Sequence, residues 1–376
     1  MIYADNAATT KLDADAFELM KEYLLNDYGN ASQPYEFGQK CKTALRAARE
    51  TIAKCIGADP EEIYFTSCGT ESDNWAIKMG SNLTDQIVTS VIEHHAILNS
   101  CKSMEDVGKT VKYLPVDSTG EVSPSDLDRM LDDSKTLVSV MFANNEIGTI
   151  EPVKKLVDVT HNKGGIFHTD AVQAIGHVPI DVHELGVDML SASGHKFNAP
   201  KGIGFLYIKK GLELRPFIDG GAQEKGRRAG TENIASIVAM ACALEKNCVQ
   251  MGDNEKHLRN LENIVITILQ NAGLDFIRNG SDCRIPGNIN LSFADAEGEM
   301  LLHRLDLKKI CISTGSACDS VNTQISHVID AIGVPDKYAE GTIRISLGKN
   351  NTESEAESIA NALVDVLKKN KCFQQT

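Results

Sequence analysis

Lys196 closes the segment Met189-Leu190-Ser191-Ala192-Ser193-Gly194-His195-Lys196, an apolar run that turns small and polar. One β-α-β unit earlier lies His168-Thr169-Asp170-Ala171-Val172-Gln173. An amine for a Schiff base, an acid to keep a pyridine nitrogen protonated, and small hydroxyl-bearing residues around a phosphate are the groups that pyridoxal 5'-phosphate requires. A lysine taken alone is a solvated charge; these surroundings point to a cofactor site. Asp170 either pairs with a pyridinium nitrogen or caps a helix opening at Ala171. Gln173 either donates to the ring hydroxyl oxygen or is a surface glutamine.

Other segments carry matching chemistry. Gly69-Thr70-Glu71-Ser72-Asp73 opens a helix and offers backbone N–H groups and a hydroxyl to an anion, with Ser193 and His195 as further donors. The competing reading is an ordinary helix cap made by Thr70 and Asp73. One histidine of Glu93-His94-His95 could stack on the ring and exchange protons, or be structural. Asn145, in Asn144-Asn145-Glu146-Ile147-Gly148, could bring an amide to the ring hydroxyl. Gly315-Ser316-Ala317-Cys318-Asp319 reads as a loop whose thiol could reach, attack and leave, or as a buried cysteine in a tight turn. An unperturbed thiol near pKa 8.5 is only slightly ionised at neutral pH, so a neighbouring base or cation would have to help. Arg344, among apolar neighbours in Thr342-Ile343-Arg344-Ile345-Ser346, needs a carboxylate: that of a substrate or that of a structural ion pair.

These groups must be positioned by a scaffold. Short apolar runs at 63–66, 86–89, 111–114, 137–141, 166–168, 189–191 and 203–208 alternate with helical stretches such as 41–56 and 152–162. That pattern predicts an α/β fold with a mostly parallel sheet covered on both faces. In such a sheet ligands bind beyond the carboxyl ends of the strands, where Asp170 and Lys196 fall. A long helical stretch at 231–271, expected to be interrupted, precedes strands at 288–293, 310–313 and 342–346. Helices from 297, near 324–332 and over 353–369 complete this part. The reading gives a large domain over residues 12–250 and a smaller α+β domain from 1–11 and 251–376.

The 376 residues are 42% hydrophobic and 24% charged, with a net charge of −14. That balance argues against a nucleic-acid partner, which would need basic patches. No leader is expected at Met1-Ile2-Tyr3-Ala4-Asp5, and no membrane span. The ten cysteines form no C-x-x-C pair and show no metal-ligand spacing, so no metal is expected and free thiols in a reducing cytoplasm fit best.

Taken together these motifs resemble the NifS/IscS-like cysteine desulfurases of the class V aminotransferase superfamily. The likeness runs from Tyr3-Ala4-Asp5-Asn6-Ala7-Ala8 to Arg344-Ile345-Ser346-Leu347-Gly348 and includes Arg227-Arg228-Ala229-Gly230-Thr231-Glu232-Asn233. It implies fold type I, with a seven-stranded large-domain sheet, and conversion of L-cysteine to L-alanine. Lys196 would hold the cofactor and shuttle the Cα proton. Asp170, Gln173 and Asn145 would hold the ring, with His94 stacked over it and assisting proton transfer. Gly69, Thr70, Ser193 and His195 would bind phosphate, joined by Thr231 from the partner of a homodimer. Arg344 and Asn145 would hold the substrate carboxylate, and Cys318 would take the sulfur as a persulfide. An acceptor protein, for iron–sulfur cluster assembly or tRNA thiolation, would then receive it. Selenocysteine lyase, or another class V aminotransferase or lyase, is the alternative within this fold. The chain departs from the family pattern at Cys68, where glycine is usual, and at Asp319, whose charge would oppose a thiolate at Cys318.

Overall fold

A computed structural model describes residues 1–314 and 325–374. The strands are β1 (Ile2–Tyr3), β2 (Ile63–Thr66), β3 (Gln86–Ser90), β4 (Thr110–Leu114), β5 (Thr136–Ser139), β6 (Ile166–Asp170), β7 (Met189–Ser193), β8 (Gly204–Ile208), β9 (Phe276–Arg278), β10 (Asn288–Phe293), β11 (Ile310–Cys311) and β12 (Thr342–Ser346). The helices are α1 (Ala14–Leu25), α2 (Glu36–Cys55), α3 (Gly69–Gly80), α4 (His95–Asp106), α5 (Pro124–Met130), α6 (Val153–Asn162), α7 (Val182–Leu185), α8 (Ile234–Asn271), α9 (Gly298–Leu307), α10 (His327–Ala331), α11 (Asp336–Ala339) and α12 (Glu353–Gln374).

Seven strands form one sheet in the order β2-β8-β7-β6-β5-β3-β4. Pairing is parallel from β4 through β7. β8 breaks the pattern by running antiparallel to both β7 and β2. Because successive side chains on a strand face opposite ways, each buried strand feeds two cores. Phe65, Val88, Val138, Phe167, Leu190 and Tyr207 face one side, packed by α2, α6 and the first part of α8. Tyr64, Ile87, Leu137, Ile166, Met189 and Leu206 face the other, where α3 and α4 deliver Trp75, Ile77, Ile97 and Cys101. Burial on both faces explains why the sequence shows near-continuous apolar runs there rather than alternation.

A second core is built on the antiparallel sheet β12-β10-β9, with Leu291, Phe293, Ile343 and Ile345 packed against α9, α12 and the distal part of α8. α8 is shared: Ile237 to Leu244 pack in the large core, and Leu258 to Leu269 in the small one. The expected interruption in this stretch does not occur, and α8 is one helix of 38 residues. Gly252, Asp253 and Asn254 in its middle are weak helix formers, and the packing of both apolar ends carries the helix through them. α8 is long and apolar enough to cross a membrane, yet 56% of its most apolar window is buried inside the protein, as in a core helix. The amino terminus joins both parts: β1 pairs in parallel with β11, while Thr10 donates its N–H and hydroxyl to the carbonyl of His195.

Candidate active site

The carboxyl ends of β5, β6 and β7 open onto a cavity of about 310 Å³, lined among others by Gly69, Thr70, His94, Asn145, Asp170, Gln173, Ser193, His195, Lys196 and Arg344. All the candidates from the sequence therefore meet in one place except two. Thr231 is exposed and does not line the cavity of its own chain. Cys318 lies outside the described residues.

Lys196 ends a short turn after β7. Its Nζ donates to the carbonyls of Ala7 at 2.6 Å and Ala8 at 2.8 Å. Its own carbonyl accepts from His177 Nε2 at 2.9 Å. Both amino-terminal alanines line the cavity, so the first residues of the chain complete the site. Gln173 is tied to the same strip, its Nε2 donating to the Ala7 carbonyl at 3.0 Å.

Asp170, the last residue of β6, is buried. Burial pushes its carboxyl up to about 6, opposed by the Val172 N–H and by the charge of Lys196. Oδ1 accepts that N–H at 2.9 Å, so Asp170 caps the following turn and also lines the cavity. Beneath it, His168 bridges Ser139 and Ser191 at 2.9 and 3.0 Å. Burial holds this imidazole near 3, hence neutral at ordinary pH.

The cap expected from Thr70 and Asp73 is absent. α3 begins after Cys68 without any side-chain cap hydrogen bond, and Asp73 is buried with Oδ1 unpartnered. Its carboxyl is raised by burial and by the neighbouring Asp170 charge. The first N–H groups of α3 therefore meet the cavity without a competing carboxylate. Positive helix-end charge and free donors make an anion seat there. Gly69 is needed for close approach: a Cβ at this position would lie 2.7 Å from Val172 Cγ2 and 3.2 Å from Ser193 Cβ. An anion seat at one end, a buried carboxylate at the other and an amine between them fit pyridoxal phosphate.

His94 caps α4, with Nδ1 accepting from the Ala96 N–H at 3.1 Å. Desolvation first, then the Lys196 charge, lower it to about 4. At neutral pH the ring is thus uncharged, with Nε2 carrying its proton, which suits stacking better than the neutral-range titration the sequence suggested. His195 is likewise lowered to about 4, chiefly by burial, and its Nδ1 lies 3.1 Å from Thr9 Oγ1.

Arg344, on β12, crosses from the small core. Nη2 donates to Asp5 Oδ1 at 2.8 Å and Nη1 to the Asn145 carbonyl at 3.0 Å, while the buried Nε is unpartnered. The arginine thus has its structural ion pair and also lines the cavity. Ser313 is stitched to Arg344 by two backbone hydrogen bonds of 2.7 and 3.0 Å. Cys318 is four residues beyond Thr314, and four residues of extended chain span at most about 14 Å.

Asp5, Ala7 and Ala8 are contributors that spacing did not single out, and Asp73 was read only as part of a helix cap.

The sequence matches the family described as aminotransferase class-V over residues 2–359. The cysteine desulfurase IscS of Dictyoglomus turgidum is 46% identical over 373 residues, spanning 98% of this chain and 95% of that protein. The protein of the same name from Methanosarcina thermophila is 44% identical over 372 residues, 98% and 92% of the two chains. Among solved structures, a NifS-like protein superposes with a TM-score of 0.92 at 38% identity, covering 98% of this chain and 99% of that one. SspA in complex with cysteine superposes with a TM-score of 0.83 at 33% identity, covering 94% and 100%.

Proposed function

The chain belongs to the aminotransferase class-V family, and from that premise we propose how its residues divide the work. It is a pyridoxal phosphate-dependent cysteine desulfurase of the NifS/IscS kind. The observation that carries the assignment of roles is the convergence of Lys196, Asp170, His94 and Arg344 on one cavity. When bound, the cofactor supplies an electron sink for bond changes at the α-carbon of the amino acid.

The remaining work falls to the chain. The α3 N-terminus with Gly69, Thr70, Ser193 and His195 would hold the phosphate, joined by a hydroxyl from Thr231 of a second copy in a homodimer. Asp170 would keep the ring nitrogen's proton in place. Gln173 and Asn145 would hold the ring hydroxyl, and the uncharged His94 would stack on the ring. Lys196 Nζ carries the proton to and from the substrate's α-carbon, and His94 assists. Arg344 and Asn145 orient the substrate carboxylate. Cys318 attacks the substrate sulfur: the carbon–sulfur bond of L-cysteine breaks, a sulfur–sulfur bond forms on Cys318, and L-alanine leaves.

The persulfide is then available to a carrier protein for iron–sulfur cluster assembly or tRNA thiolation, in the cytoplasm. The acidic net charge of −14 favours an acceptor with a basic docking face over any direct nucleic-acid contact.

Alanine release by Cys318→Ala tests the nucleophile. Without the thiol, turnover of L-cysteine to alanine is expected to fall at least about 100-fold, a floor set by nucleophilic activation, while cofactor absorbance stays intact. Wild-type turnover in that variant would rule Cys318 out. Arg344→Lys keeps a cation near Asp5 but loses the planar fork. KM for L-cysteine is expected to rise about 10-fold, the worth of one charge-assisted hydrogen bond, with kcat changed less. Steady-state kinetics with alanine detection checks this.

A further inference from the structure

Two cysteines far apart in the sequence meet outside the cofactor cavity. Cys55 is the last residue of α2, and Cys248 lies on α8, 193 positions later. Cys248 Sγ is 4.0 Å from the carbonyl oxygen of Cys55. Both thiols are unoxidised and half-buried, and both line an open groove of about 520 Å³ together with Lys154, Asp181 and Glu184. The neighbouring thiol raises Cys55 and lowers Cys248. No third metal-ligating side chain joins them among the described residues. Cys55 and Cys248 both pack, partly buried, on the large core, and Cys248 lies on α8 between its last fully buried large-core residue, Leu244, and the first small-core one, Leu258.

We infer that Cys55 and Cys248 form a redox-active dithiol, which closes to an intramolecular disulfide by exchange with a low-molecular-weight disulfide and so ties the end of α2 to α8 where that helix leaves the large core. The first step is attack by the Cys248 thiolate on one sulfur of the small disulfide. A mixed disulfide forms, and one small thiolate departs and takes up a proton. Cys55 then gives up its proton, its sulfur attacks Cys248 Sγ, and the second small thiol leaves. Two protein thiols are oxidised, and one small disulfide is reduced to two thiols. Both cysteines line the groove, and Cys55, whose carbonyl lies 4.0 Å from Cys248 Sγ, is the neighbouring thiol that resolves the adduct. Pairs of this kind in reducing compartments serve as reversible sensors rather than permanent staples.

The cofactor-loaded protein incubated with oxidised glutathione provides the test. After remaining thiols are alkylated, the protein is digested without reduction and mapped by mass spectrometry. The expected product is a Cys55 peptide linked to a Cys248 peptide. In Cys55→Ser the adduct cannot resolve, so glutathione should persist on Cys248 several-fold above the level on exposed Cys283. A wild-type protein with both thiols alkylated, or with a stable glutathione adduct on Cys248 and no cross-link, would overturn the inference. Should Cys55→Ser not accumulate, the wild-type map alone decides. Cys318 is mapped as a separate peptide, so its own reactivity does not enter.

Discussion

Lys196→Ala is expected to abolish detectable desulfuration, with alanine formation down at least about 10³-fold, the scale of a lost acid–base group. It should also lose the visible absorbance of covalently held pyridoxal phosphate. Lys196 is the one lysine among the described residues lining the cavity, so no neighbouring amine can substitute. Its Nζ is aimed by the Ala7 and Ala8 carbonyls at 2.6 and 2.8 Å, an arrangement contributed by the amino-terminal strip. Truncation removes the amine but no core side chain, so the melting temperature should change little. Retention of a covalent cofactor band in the variant would contradict this placement.

Asp170→Asn should push activity and stability in opposite directions. In the proposed role the buried Asp170 carboxylate would hold the ring nitrogen's proton, and its removal is expected to weaken cofactor binding and lower kcat about 100-fold or more, the worth of a broken buried pair being about 3 kcal/mol or above. In the cofactor-free protein the same charge is a liability. Its folded pKa of about 6 stands above the ordinary 3.8, so the native state binds the proton more tightly than the unfolded chain does. Ionisation therefore destabilises the fold fully above pH 6, and the penalty vanishes as pH falls below 3.8. A shift of this size corresponds to a few kcal/mol. Apo Asp170→Asn should accordingly melt higher than the apo wild type at pH 8, with the gap closing toward pH 4. Thermal melts across that range check it, and equal melting at pH 8 would show that Asp170 carries no buried charge. This is strain retained for function.

Much of the site was legible because its members stand at strand ends. Asp170 and Lys196 each follow an apolar run, and a parallel sheet sends such residues to one edge. The clearest strands could be read because both faces of the sheet are buried there, giving continuous apolar runs at Ile63-Tyr64-Phe65 and Phe205-Leu206-Tyr207-Ile208. What could not be read depends on partners distant in the chain. Ala7 and Ala8 act through backbone carbonyls, which no residue type advertises. Arg344 left two readings open because its residue type does not name its partner; in the fold it pairs with Asp5 and also lines the cavity. The break expected in α8 does not occur because its middle spans the passage between two cores that hold both ends. Cys55 and Cys248 share no local spacing pattern, and only the packing of α2 on α8 brings them together.

Mass spectrometry of the cofactor-loaded protein after brief incubation with L-cysteine tests the central claim most directly. One additional sulfur mapped to Cys318 in the wild type, and absent from both Cys318→Ala and Lys196→Ala, is the predicted result. Sulfur appearing on another cysteine instead, or on Cys318 undiminished when Lys196 is replaced, would contradict it.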